Sequence, residues 1–289
     1  QRRARAVASA IEYIQMSTTL DGTAALVTAG GTGIGLGIAK RLAADGCLVT
    51  ICARRESVLA DAVKSIGHGA RYIVCDVTDD GQVEAAVAKA AEPLGRLDFA
   101  IANAGGGAAA GPLVLTDLDA WNATLALTLT STLSTIKHAA PIMMQQGGGA
   151  IVAVSSIAGH MTHRNLGQYC VAKAGVEMLV RNSADELGAY GIRVNGVRPG
   201  LVPTEAAAGL QQTDVVREDY LAQMPLRRLG TTDDVAAAVR FLAGPEASWI
   251  TGQMLGVDGG HSLRRGPNLD GIFAASVDPQ MDALMSKRE

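Results

Sequence analysis

Short, predominantly apolar runs alternate with longer amphipathic stretches along most of this chain. Ala24–Val27, Cys47–Cys52, Tyr72–Cys75, Leu97–Ile101, Ala150–Val154, Ile192–Val197 and Gln253–Val257 have the length and composition of buried strands. Between them lie helical patterns: Ile38 and Leu42 with Lys40 and Arg41 outside, then Glu56–Ile66, Asp79–Leu94, Leu118–Gln146, Gly167–Ala189 and Asp233–Leu242. Strands separated by helical lengths imply right-handed crossovers and a parallel sheet. The chain is therefore expected to be one α/β domain over residues 20–260. Leu201–Met224 is more polar, with a helical piece and several flexible positions, and reads as a lid. From His261 the periodicity is lost, so residues 261–289 read as a C-terminal tail. Residues 1–19 read as an N-terminal extension. Its basic start, Gln1–Arg5, leads into Ala6–Ile14, which is too weakly apolar for a secretory signal; it has the arginines of a mitochondrial presequence but also Glu12.

Charge and composition narrow the partners. At 289 residues with a formal charge of −3 and no Lys/Arg cluster in its body, the chain has no sequence signature of a nucleic-acid surface. No stretch of 18 apolar residues exists despite 48% hydrophobic content, much of it alanine, so no membrane span is expected. Small molecules are the expected partners. Cys47, Cys52, Cys75 and Cys170 have no CxxC spacing and sit in apolar runs, which suits reduced core thiols in a cytoplasmic protein and no bound metal.

The chemistry-bearing residues fall where the expected strands end. Thr28-Ala29-Gly30-Gly31-Thr32-Gly33-Ile34-Gly35 joins a strand to a helix, and glycines there let backbone N–H groups approach a pyrophosphate at the helix N-terminus. At the end of the second strand, where an NAD-binding unit carries an acid, this chain has Ala53 followed by Arg54 and Arg55. Guanidinium groups suit a 2′-phosphate, so the sequence favours NADP(H) over NAD(H). Tyr169 and Lys173 are spaced i, i+4 on one helical face, with Ser156 thirteen residues upstream of Tyr169. A fixed ammonium beside a phenol is expected to pull its pKa down towards working pH, while Ser156 holds a carbonyl oxygen. His160 and His163 are either substrate contacts or solvated loop residues, and Trp121, Met143, Met144 and Met178 have the spacing of core or subunit-interface positions.

With these pieces in view, the chain resembles the short-chain dehydrogenase/reductase family in its compact branch, over roughly Leu20 to Gly260. The matching elements are the glycine turn, Asp76-Val77, Ala102-Asn103-Ala104-Gly105, Ser156, Tyr169 with Lys173, Arg193-Val194-Asn195, Pro199-Gly200 with Thr204, and Ile250-Thr251-Gly252-Gln253 before Asp258-Gly259-Gly260. The resemblance implies a Rossmann-type, doubly wound parallel sheet of about seven strands with helices on both faces, a nicotinamide cofactor, and interconversion of ketone and secondary alcohol. It implies Tyr169 as acid/base, Ser156 as the group that polarises the substrate oxygen, and Lys173 as the ribose contact. Gly30, Thr32, Gly33, Ile34 and Gly35 would then pack the phosphates and Arg54 and Arg55 the 2′-phosphate. Asp76 and Val77 would contact adenine, Asn103, Ala104 and Gly105 would line the cleft, and Pro199, Gly200, Val202 and Thr204 would meet the nicotinamide end. The resemblance also implies a homotetramer built by pairing the helices that hold Thr128 and Tyr169.

Two positions depart from that pattern. Ala29 replaces the first glycine of the turn, which is tolerable only with negative φ and room for a methyl group. Thr128 stands at the family's asparagine, which is understood to keep a water in line with the lysine; a threonine keeps the backbone carbonyl and lacks the amide. The leading expectation is an NADP(H)-dependent oxidoreductase acting on an apolar hydroxy-acyl or steroid-like compound. The alternative is a slow or inactive dinucleotide-binding sensor or scaffold, which Thr128 favours and the intact Ser156, Tyr169 and Lys173 oppose.

Overall fold

The apolar runs pair side by side in a seven-stranded, fully parallel sheet: β1 (Ala24–Thr28), β2 (Leu48–Ala53), β3 (Arg71–Val74), β4 (Phe99–Ala102), β5 (Gly149–Val154), β6 (Ile192–Pro199) and β7 (Met254–Val257), in the spatial order β3-β2-β1-β4-β5-β6-β7. This computed structural model describes residues 19–107, 109–208, 213–266 and 270–285; apart from Thr19, the expected N-terminal extension lies outside the described residues. The helices between the strands are α1 (Gly33–Ala44), α2 (Glu56–Ile66), α3 (Asp80–Ala91), α4 (Leu118–Leu125), α5 (Ser131–Gln145), α6 (Gly167–Leu187), α7 (Asp214–Gln223) and α8 (Thr232–Ala243).

Strand alternation divides the core into two layers. In β1, Ala25 and Val27 pack with Ile38 and Leu42 of α1, Leu59 of α2 and Val239 of α8, while Leu26 faces Val83 and Val87 of α3, Met143 of α5 and Val176 of α6. Each fully buried aliphatic side chain of this kind contributes about 1.5–3 kcal/mol. The strand order reverses direction at β1, so the crossovers leave on opposite sides between β1 and β4 and open a crevice beyond their carboxyl ends.

Three elements differ from the sequence reading. The long helix expected over Leu118–Gln146 is interrupted by a π-helical turn at Ala126–Thr130. The hydroxyls of Ser131, Thr132 and Thr135 fold back onto the carbonyls of Leu127, Thr128 and Ser131 at 2.6–2.9 Å, giving the backbone there partners besides its own ladder. Part of the expected lid is packed: Val216 and Tyr220 of α7 and Met224 cluster with Ile157 and Leu201. Past β7 the chain makes a 3-10 turn at His261–Leu263 and a ninth described helix, α9 (Asp270–Met285), where the sequence shows no period. Arg264 donates to the Ala222 carbonyl at 2.6 Å and Arg265 pairs with Asp219, tying this segment to α7.

The conformation of Ala29 corrects the expectation of negative φ: its φ is +50°. Neighbouring bonds enforce it. Asn103 Nδ2 donates to the carbonyls of Thr28 (3.0 Å) and Ala29 (3.4 Å), and the Gly30 N–H donates to Cys52 O at 3.2 Å. At Gly35 a Cβ would run into that same Ala29 carbonyl, so the turn can close only over glycine. A left-handed alanine costs about 1–2 kcal/mol, and a glycine there would return about 0.4–1 kcal/mol to the unfolded chain. Ala29→Gly is therefore expected to stabilise the protein by up to ~1 kcal/mol, seen as a rise in the thermal unfolding midpoint; a fall would show that the methyl group has favourable packing that outweighs the strain.

Candidate active site

β5 ends at Val154, and the chain passes through Ser155 and Ser156 into a 3-10 turn at Ile157–Gly159, whose Ala158 N–H donates to Ser156 Oγ at 3.1 Å. α6 then crosses back over the sheet end. Its helical spacing puts Tyr169 and Lys173 on one face, with Lys173 Nζ 5.8 Å from the centre of the Tyr169 ring. The amine is buried and donates to the Val154 carbonyl at 2.6 Å. Ser156, Tyr169 and Lys173 share the wall of one cavity of about 460 Å³.

Burial sets the charges in this pocket. It pushes the Tyr169 phenol above its ordinary 10, with the Ser156 hydroxyl close enough to pull the other way. It lowers Lys173 from 10.5 to about 8. The expectation that Lys173 draws the phenol pKa down is thus corrected: in the cofactor-free protein desolvation dominates both groups, each favouring its neutral form.

The remaining sequence candidates divide into two sets. Thr32, Gly33, Ile34 and Gly35 line the cavity from the glycine turn, Asn103 and Gly105 from the end of β4, and Pro199, Gly200, Val202 and Thr204 from the end of β6. Outside its wall are Gly30, Ala104, Arg54, Arg55, Asp76, Val77 and Thr128. Ala104 is buried with its N–H on Thr28 Oγ1 at 3.1 Å, so its part is to join β4 to β1. Asp76 is held low by the Thr78 N–H and hydroxyl, at 3.0 and 2.8 Å, and further by the charge of exposed Arg54. Arg55 reaches across to Glu205, itself on the cavity wall, with contacts of 3.0 and 3.4 Å. His163 lines the cavity, whereas exposed His160 does not. Met143 is core, and Met178 is exposed on α6.

Thr128 is fully buried in the π turn and its hydroxyl makes a reciprocal pair, accepting from the Gly106 N–H at 3.1 Å and donating to the Gly106 carbonyl at 2.9 Å. Its own carbonyl accepts from the Thr132 hydroxyl at 2.9 Å. In the structure, then, Thr128 pins the loop after β4 against α6's neighbour. Sequence reasoning also passed over Glu177, one turn beyond Lys173 on the same face. Glu177 is buried and receives Arg198 Nε and Nη2 at 2.6 and 2.8 Å, with Ser155 Oγ 3.2 Å away. The i+4 spacing from Lys173 was the one available signal.

The residues present fit a dinucleotide. Gly33 has φ +55°, Gly35 admits no Cβ, and a Cβ on Gly105 would stand 2.8 Å from Lys173 Nζ, so the crevice is bare of side chains at these three positions. That is the cradle a phosphate needs at the start of α1.

Comparison with known proteins agrees with this geometry. The family model described as "Enoyl-(Acyl carrier protein) reductase" matches residues 28–262. The chain is 40% identical over 240 residues to cis-4-hydroxycyclohexanecarboxylate dehydrogenase of Sinomonas cyclohexanicum, covering 82% of this chain and 96% of that protein. A short-chain type dehydrogenase/reductase structure from Mycobacterium ulcerans superposes with a TM-score of 0.85 at 40% identity, covering 90% of this chain and 96% of the other. A 7α-hydroxysteroid dehydrogenase complexed with NADH and 7-oxo glycochenodeoxycholic acid superposes with a TM-score of 0.80 at 34% identity, covering 84% and 96%.

Two outcomes test the site's construction. Thr128→Val keeps the shape but leaves the Gly106 N–H and carbonyl without their partner, and is expected to cost about 1–3 kcal/mol in urea unfolding; Thr128→Asn restores a donor and an acceptor and should cost less. The second concerns pH. Because Lys173 titrates at about 8 folded and 10.5 unfolded, the unfolded chain binds more protons between those values, and stability contributed by this group rises with pH through that window. The raised phenol pKa of Tyr169 acts in the opposite sense above pH 10. Cys47, pushed by burial from 9.0 up to about 12, opposes that rise from about pH 9, so the cofactor-free protein is expected to gain stability between about pH 8 and 9, and Lys173→Met should flatten that rise in thermal scans.

Proposed function

We propose that this chain, which belongs to the short-chain dehydrogenase/reductase family, is an NADP(H)-dependent oxidoreductase that interconverts an apolar ketone and its secondary alcohol. One observation carries the reading: Ser156, Tyr169 and Lys173 stand together on the wall of a cavity beyond the carboxyl ends of β4, β5 and β6. The relatives act on ring-borne hydroxyl groups by their names, and the cavity's wall is largely alanine, glycine and aliphatic side chains, which suits a cyclic or steroid-like compound.

The chain's residues divide the work of a ketone reduction. When bound, the nicotinamide supplies the hydride that reaches the carbonyl carbon. Ser156 donates a hydrogen bond to the carbonyl oxygen and so stabilises the negative charge that gathers there. Tyr169 passes its phenolic proton to that oxygen; burial keeps the proton on the phenol until it is needed. Lys173, held by Val154, binds ribose hydroxyls and returns a proton towards Tyr169. In the oxidative direction the same groups run in reverse. Leu201, Ala207 and Tyr220 line the cavity with apolar surface, which would help keep water from the reacting carbon.

Arg54 and Arg55, with Ala53 in place of an acid, support NADP(H). The Arg55–Glu205 pair is exposed on both sides, so its dissolution in favour of a 2′-phosphate costs little. Leu133 on α5 and Val171 and Met178 on α6 leave apolar side chains exposed, in keeping with a homotetramer built on those helices. The four free cysteines, three of them buried, fit a cytoplasmic protein.

Cofactor oxidation with NADPH and with NADH, against a panel of cyclic and aliphatic ketones, tests the reading. NADPH is expected to be preferred, and Ala53→Asp combined with Arg54→Ala should invert the preference. Tyr169→Phe should lower turnover by about 10²–10⁴-fold with cofactor binding retained. If NADPH bound and no ketone on the panel were reduced, the sensor reading would take the place of the enzyme.

A further inference from the structure

His163 is a buried, titratable side chain on the cavity wall to which the proton-transfer chemistry assigns no part. Its ring orientation is legible from one bond. Nδ1 lies 3.1 Å from the Met161 carbonyl, which can only accept, so Nδ1 carries the hydrogen. Burial, and the neighbouring His261, lower the pKa of His163 and keep its ring neutral. Nε2 is then a bare lone pair. It makes no hydrogen bond among the described residues, and His163 borders the cavity, so Nε2 is the ring nitrogen left for a ligand in that space.

An acceptor fixed in a largely apolar wall discriminates by what it leaves unpaired. A ligand that brings an O–H to it gains a hydrogen bond; one that covers it with hydrocarbon strands a desolvated lone pair. A carboxylate would face it with like polarity. Nor does the rest of the wall offer a carboxylate a free cation: among the described residues Lys173 is its one Lys or Arg, already bonded to Val154, and Glu205 is an anion.

Resting on the oxidoreductase reading above, we infer that His163 is a specificity-determining residue whose Nε2 accepts a hydrogen bond from a second hydroxyl of the substrate, so that the pocket takes a dihydroxylated or hydroxy-keto ring. The reacting oxygen goes to Ser156 and Tyr169, and the second hydroxyl donates to His163. The preference is thus for a neutral polyol-like ring over both a plain cyclic alcohol and a hydroxy acid.

Calorimetric titration of the protein saturated with NADPH, in which an alcohol cannot be oxidised, tests this without turnover. The probes are the cyclohexane-1,2-, 1,3- and 1,4-diols, cyclohexanol and 4-hydroxycyclohexanecarboxylate. At least one diol is expected to bind about tenfold tighter than cyclohexanol and tighter than the carboxylate. His163→Phe should erase the diol's advantage. His163→Gln, which can place a carbonyl oxygen near the Nε2 position, should keep part of it, and retained NADPH binding shows that each variant is folded. Equal affinity for diols and cyclohexanol, no binding of either, tighter binding of the carboxylate, or a diol advantage that survives His163→Phe would each overturn the inference. A diol preference lost in His163→Phe, in a protein that reduces no ketone, would leave the inference standing and sink the oxidoreductase reading instead.

Discussion

A primary amine buried at the end of a sheet must have a partner or lose its charge, and the bond from Lys173 Nζ to the Val154 carbonyl meets that demand. Most of the site follows from it. Val154 is the last residue of β5, so the bond fixes α6 relative to the sheet; one turn back along α6, Tyr169 is then held beside Ser156. A Cβ on Gly105 would stand 2.8 Å from the amine, so a side chain there would push Lys173 from its place. Ser155, Glu177 and Arg198 hold the next turn of the same helix, joining α6 to β6 through a bidentate ion pair that would be strongly destabilising to break from one side.

The sheet was legible in the sequence because buried parallel strands must be nearly continuous in apolar residues and their connections must reach helical length. The positions of Ser156, Tyr169, Lys173 and the glycine turn were legible because each is tied to a local rule, either helix periodicity or a strand end. What the sequence concealed depends on contacts far apart along the chain. Glu177 looks like any helical glutamate until β6 places Arg198 opposite it. Ala29 was read by its intrinsic preference, which the bonds from Asn103, 74 and 75 residues away, override. The phenol pKa was read from the sign of a neighbouring charge, while burial, which pushes it the other way, is not visible in a linear sequence. α9 follows no apolar period, so no sequence rule marks it.

The cavity wall combines two kinds of residue with different tolerances. Glycines line the side where a dinucleotide would lie, and at Gly35 and Gly200 an added Cβ would run into backbone atoms. Side chains from the segment after Ser156 and from Leu201, Ala207 and Tyr220 line other parts of the wall, where exchange of one side chain for another changes shape without touching Gly33 or Gly35, whereas Thr204 packs against Gly33. The segment after β6 thereby serves both sides of the cavity.

The π turn at Ala126–Thr130 separates α4 from α5 by one residue more than a continuous α-helix would need. Removing one residue from this turn would regularise the helix and restore its hydrogen-bond ladder, a local gain. Because the wider turn absorbs its extra residue with little net rotation, Ile136 and Met143 would stay on the sheet; what the deletion would remove is the local bulge in which the Thr128 hydroxyl meets Gly106. The cost of shortening this segment therefore falls on the loop after β4, which Thr128 holds, and not on the packing of α5 against the sheet.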